Sequence, residues 1–148
     1  MDAVKTPSGQ ADNDQWELDE GIARFLGIVP NGGTFRLADV RQKAAAELKH
    51  LGDEIGGHFD AMDVHIPPAV QLSGGEAGEI VVTSEHAAKE AIEARLNADT
   101  RVLKMFKEVE LLYEILRKAE LRDTDRFKNQ HFNLGLTSLG SIAFFTER

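Results

Sequence analysis

Residues 99–122, DTRVLKMFKEVELLYEILRKAELR, form the most hydrophobic stretch of helical periodicity in the chain. At about 100° per residue, Val102, Met105, Phe106, Val109, Leu112, Tyr113, Leu116 and Ala119 share one broad face. Leu103, Leu111, Ile115 and Leu121 fall on roughly the opposite side, so the Lys, Arg and Glu residues keep only the margins between two apolar faces. A surface helix needs one such face. The pattern therefore predicts a central helix covered on two sides, by other parts of the chain or by another subunit.

Working outward, Ser84 is placed to cap a preceding helix that runs to about Leu96 with Ala88, Ile92 and Leu96 on one side, and Asn97 to Thr100 separates the two. Upstream, the runs AVQLS and EIVVTS are short, β-prone and joined by Gly74, Gly75, Glu76, Ala77 and Gly78, the signature of a hairpin with a Gly-rich loop. Ile66-Pro67-Pro68 cannot continue a helix and marks the change of architecture. Downstream, HFNLGLT alternates, with Phe132, Leu134 and Leu136 facing one way and His131, Asn133 and Thr137 the other. Reading Ser138-Leu139-Gly140 as the turn brings SIAFFT back with Ile142 and Phe144 beside the first set and Ala143 and Phe145 on the reverse face.

Two helices are predicted before the first hairpin. Asp14 with Glu17 has capping-box spacing, and Leu18, Ile22, Phe25, Leu26 and Val29 form a stripe that Pro30-Asn31-Gly32-Gly33 ends. Thr34 is placed to cap a longer helix in which Leu37, Val40, Ala44, Leu48, Leu51, Ile55, Phe59 and Met62 recur at threes and fours. Gly52 and Gly56-Gly57 lie off that stripe, where they can kink the helix without moving its core face. The expectation is an α+β domain of order α-α-β-β-α-α-β-β, with a four-stranded antiparallel sheet made of two hairpins split by the central helix pair. Residues 1–13 read as a polar arm, flexible or held by a partner, and 14–148 as one domain, helical over 14–65 and built of sheet and central helices over 66–148.

A chain of 148 residues that is 42% hydrophobic and 28% charged can bury a core without staples. Its net charge of −8 argues against nucleic-acid binding, which needs a clustered basic surface. The excess is not uniform: residues 1–98 hold 17 acidic and 8 basic side chains, residues 99–148 eight and nine. The absence of cysteine excludes disulfides, thiolate metal sites and cysteine nucleophiles. The start MDAVKTPSGQADND lacks a basic-then-apolar signal pattern, and no apolar run approaches a membrane span. These features fit a soluble protein made in the cytoplasm, with a virion or an exported assembly open as its final location.

No motif names a chemistry. His50, Glu54 and His58 are spaced by four and are weak metal-ligand candidates, because they spread over about 80° of helix circumference and match no zinc signature. Asp63 and His65 lie downstream of them. The Gly-rich stretches lack the lysine and hydroxyl of a phosphate loop, and no nucleophile elbow or calcium loop occurs. No cofactor and no catalytic residue are expected. The unusual property is apolar surface, with Leu103, Leu111, Ile115 and Phe145 as interface candidates and an exposed strand edge able to pair across a contact. The expected function is a non-enzymatic subunit that assembles with itself or another protein. The alternatives are a small acidic chaperone or adaptor and, third, a small-molecule enzyme. In size, acidity and mixed α+β content the chain loosely resembles the secretion chaperones of bacterial type III systems. It departs from them in having no closing helix after the last strands and shares no motif with them.

Overall fold

The computed structural model describes residues 15–16, 35–122 and 126–147. In chain order the elements are β1 (Gln15–Trp16), β2 (Phe35–Arg36), α1 (Leu37–Met62), β3 (Val70–Gly74), β4 (Ile80–Val82), α2 (Lys89–Asn97), α3 (Thr100–Glu120), a 3-10 turn (Arg126–Asn129), β5 (Gln130–Thr137) and β6 (Gly140–Glu147). Strands β3 to β6 form one antiparallel sheet in the order β4-β3-β5-β6, so the fold is α+β, with three helices among the described residues.

The first expected helix is corrected at its start. Gln15–Trp16 pairs antiparallel with Phe35–Arg36, so the capping-box spacing of Asp14 and Glu17 is overridden by strand pairing. The rest of that expected helix, like the arm of residues 1–13 and Thr34, lies outside the described residues. With Phe35–Arg36 engaged in a ladder, α1 begins at Leu37 with Arg36 at its N-cap and no side-chain cap. It then runs unbroken through all three glycines and ends where Asp63 turns left-handed at φ 58°. There the Val64 N–H reaches the Phe59 carbonyl at 2.9 Å, closing the helix as a Schellman-type turn does. Gly52 marks a close approach, since a Cβ there would stand 2.1 Å from Ser141 Oγ on β6.

Helix α2 begins at Lys89, four residues later than expected. The hydroxyl of Ser84 instead accepts the Gln71 N–H at 2.9 Å, ending the β3 ladder. The break before α3 falls where expected, because Asp99 accepts the N–H groups of Arg101 and Val102 and starts the helix.

The helices lie on one face of the sheet. Leu51, Ile55 and Phe59 of α1, Ile92 and Leu96 of α2, and Val102, Phe106 and Val109 of α3 form one core with Val70, Leu72, Ile80, Val82, Phe132, Leu134 and Leu136. Phe132 sits in the middle, with Phe106 and Phe145 edge-on at 5.9 and 5.7 Å and Tyr113 stacked at 6.0 Å. A smaller cluster of Val40, Ala44 and Leu112, flanked by Leu111, Ile115 and Leu116, joins α1 to the back of α3. The second apolar face of the central helix is thus covered in part by α1.

The last hairpin corrects the expected phase. Thr137 pairs with Gly140, Leu134 with Ala143 and Phe132 with Phe145, so the loop is Ser138-Leu139, two residues and not three. Partners directly opposite share a face, and one residue of loop length exchanges the faces of a whole strand. Ala143 and Phe145 therefore face the core, while Ile142 and Phe144 lie on the outer face. There they lean over Gly135, whose Cβ would meet Ile142 Cγ1 at 2.9 Å and Phe144 Cε1 at 3.3 Å. Beside them the outer face carries a polar row: Gln71 Nε2 donates to Asn133 Oδ1 at 3.2 Å and Asn133 Nδ2 to Thr146 Oγ1 at 2.9 Å.

This phase separates two substitutions. Phe132→Ala is expected to cost about 3–5 kcal/mol in urea unfolding, as large-to-small changes at packed aromatics do. Ile142→Ala, at a side chain 50% exposed, is expected to cost about 1 kcal/mol or less. Equal losses would show Ile142 in the core and restore the three-residue turn.

Candidate functional site: an open strand edge and its groove

An antiparallel strand alternates residues that bond one neighbour with residues that bond the other. In β3, the Gln71 carbonyl accepts from Thr83, so Gln71 and Ser73 bond towards β4 while Val70 and Leu72 bond towards β5. Carrying the alternation outward, Gly135, Asn133 and His131 bond Ile142, Phe144 and Thr146. The N–H and C=O groups of Ser141, Ala143 and Phe145 then point away from the sheet, as do those of Ile80 and Val82 on β4.

The two edges are treated differently. On β4, the Asn97 side chain accepts the Ile80 N–H at 2.8 Å and returns Nδ2 to the Ile80 carbonyl at 2.9 Å, a side-chain amide standing in for a neighbouring peptide. The Glu93 carboxylate accepts the Val82 N–H at 2.8 Å. This three-residue edge is closed by α2. On β6, eight residues long, no strand or side chain among the described residues occupies the outer backbone groups of Ser141, Ala143 and Phe145. Residues 140–146 also carry no charge, no proline and no bulge, the devices that usually guard an edge.

A groove of about 410 Å³ runs beside this edge, lined by Arg41, Tyr113, Leu116, Arg117, Glu120, Ala143, Phe144 and Phe145. Three consecutive residues of one strand can line a groove only when it follows the strand's edge, because alternate side chains leave opposite faces. Arg117 is committed within it: its guanidinium bonds Gln130 Oε1 at 3.0 and 3.1 Å and Glu120 at 3.3 Å, and stands 5.6 Å from the Phe145 ring centre. Arg41 is exposed and bonds no described residue.

Of the four expected interface residues, Phe145 lines this groove, on its core side. Leu111 and Ile115 are half-buried in the smaller cluster beside the groove residue Leu116. Leu103 is half-buried against the main core, roughly 20 Å further along α3 at 1.5 Å per residue. The four do not form one patch.

The weak metal candidates are also kept apart. His50 lies 3.8 Å from Glu47, and Glu54 lies 3.7 Å from Arg101. His58 is held at both nitrogens, since Arg95 Nε donates to Nδ1 at 2.9 Å and Nε2 stands 2.8 Å from Asp99 Oδ2. Arginine can only donate, so Nδ1 accepts and Nε2 gives its hydrogen to Asp99. Among the described residues no three His, Asp or Glu side chains are placed to hold a metal. Asp63 and His65 pair with each other at 3.3 Å on the surface. Nor is any helix among them long and apolar enough to cross a membrane.

Comparison of the chain with family models, with curated proteins and with solved structures finds no match in any of the three.

Two outcomes check this description. Asn97→Ala leaves the Ile80 N–H and C=O without their side-chain partner, and is expected to cost about 1–3 kcal/mol in denaturant unfolding and to increase aggregation. Asp99 is held below its usual value of 3.8 first by the His58 hydrogen bond, then by the Val102 and Arg101 N–H groups. A depressed carboxylate contributes stability that is present above 3.8 and is lost as pH falls through its folded value. Melting temperature is therefore expected to fall more steeply with acidification below about pH 4 in the wild type than in Asp99→Asn.

Proposed function

We propose that this chain is a protein-binding subunit of a larger assembly, joined to its partner by addition of a strand at β6. The observation that supports this reading is the contrast between the edges: one is closed by Asn97 and Glu93, and the other is long, without charge from Gly140 to Thr146, and open among the described residues beside a groove. Main-chain bonds along such an edge supply affinity, and pockets for alternate side chains supply selectivity. The half-buried Tyr113, Leu116 and Phe145 form that second component, and burying more of them adds about 25 cal/mol per Å² of apolar surface. The adaptor alternative uses the same edge and differs only in releasing its partner.

The test is a substitution that removes an outward donor and leaves the β5 ladder intact. The Ala143 N–H points away from β5, so Ala143→Pro blocks the edge at a position where a strand tolerates proline. Phe144→Lys is the second variant, placing a guarding cation on the edge. Wild-type protein is expected to self-associate or to retain a cross-linked partner in its source lysate, and both variants to lose this with melting temperatures within a few degrees of wild type. Association unaffected by either variant, or a wild type that is monomeric and cross-links to nothing, overturns the reading.

A further inference from the structure

We infer that the occupant of the β6 groove is an extended peptide segment of another protein that carries a carboxylate, read by Arg41. This rests on the strand-addition reading above and specifies the chemistry of the partner. Arg41 stands on the first turns of α1, exposed, and lines the same groove as Ala143 and Phe145. The other guanidinium of the groove, Arg117, is already satisfied by Gln130 and Glu120. Among the described residues that line the groove, the charge left over is therefore the Arg41 cation, on a chain whose net charge is −8. A strand laid along β6 turns every second side chain into the groove, towards Tyr113, Leu116 and Phe145, so those positions call for apolar residues. A carboxylate within reach of Arg41 completes the match, and the planar guanidinium holds it through paired N–H donors.

A second copy of this chain fits less well. Two sheets keep their helix layers on the same side only when strand partners have the same parity, which centres a two-fold β6 pair on a single residue such as Ala143 or Phe144. The groove is centred on those same residues, so such a pair brings Arg41 towards its own symmetry mate. The one carboxylate of the strand offered in return, Glu147 at its end, already accepts from Gln130 Nε2 of its own subunit.

The test uses a displayed library of random 12-residue peptides selected on the whole chain, with the enriched peptides then synthesised. Enriched sequences are expected to alternate apolar and other residues and to share an Asp or Glu. Their binding is expected to be lost with Ala143→Pro and weakened about three- to fivefold by Arg41→Gln, with Arg41→Glu weaker still. Changing the peptide's acid to its amide is expected to remove the sensitivity to Arg41, a coupling that general damage to the fold would not produce. Alternating peptides with no shared acid, lost with Ala143→Pro and indifferent to Arg41, overturn this inference and leave strand addition standing. A β6-dependent dimer that no peptide displaces also overturns it, with the second copy as occupant. Failure to enrich, or enrichment of peptides with helical spacing, overturns both readings.

Discussion

Phe132 is where the layers of this fold are held together. It lies on β5, one of the two inner strands, and its ring meets Phe106 and Tyr113 from α3 and Phe145 from β6. A sheet with helices on one side must bury every second side chain of its inner strands, and Val70, Leu72, Ile80, Val82, Phe132, Leu134 and Leu136 are all buried. Helix α3 can bring Phe106 and Tyr113 to one ring because residues seven apart return to the same face after about two turns. The apolar stripe and the strand alternation are two readings of a single contact surface. Displacing either element exposes both.

Much of this surface was legible in the chain. The stripe of α1, the Gly-rich hairpin between β3 and β4, the restart at Asp99 and the alternation of β5 all follow from local periodicity, and each is observed. What failed depended on partners distant in sequence or on one residue of loop length. Counting Gly140 into the turn put Ile142 and Phe144 on the core side. With Gly140 as the first residue of β6, the register sums to odd numbers and the faces exchange. Asp14 and Glu17 have good capping spacing, but whether Gln15–Trp16 pairs with Phe35–Arg36 is decided some twenty residues away. Ser84 had two uses open to it, helix cap or partner for the Gln71 N–H, and the latter is the one observed.

The groove was the least legible feature, because its walls come from three separated segments. Arg41 and Leu116 carry no motif, and Asn97 read only as a break between helices. Its side chain matters because α2 crosses directly beside β4, an arrangement that no local pattern specifies. The one available clue lay in what β6 lacks. A strand whose residues 140–146 hold no Lys, Glu or Pro, within a chain that is 28% charged, has been left unguarded.

The edge that is closed depends in turn on the junction at residues 95–99. Asn97 and Glu93 can bond Ile80 and Val82 only while α2 lies against β4, and α2 is held there from both ends of its last turn. Arg95 of α2 donates to His58 of α1, and His58 donates to Asp99, which caps α3. One imidazole thus ties three helices, 17% exposed and with both nitrogens occupied. Were that junction to loosen, β4 would become a second open edge, three residues long, and the sheet would have two places to grow. On the strand-addition reading proposed above, the closure of β4 by Asn97 and Glu93 would confine growth to the β6 side, the edge left open among the described residues. A subunit with one open edge terminates or pairs an assembly, whereas one with two would propagate it.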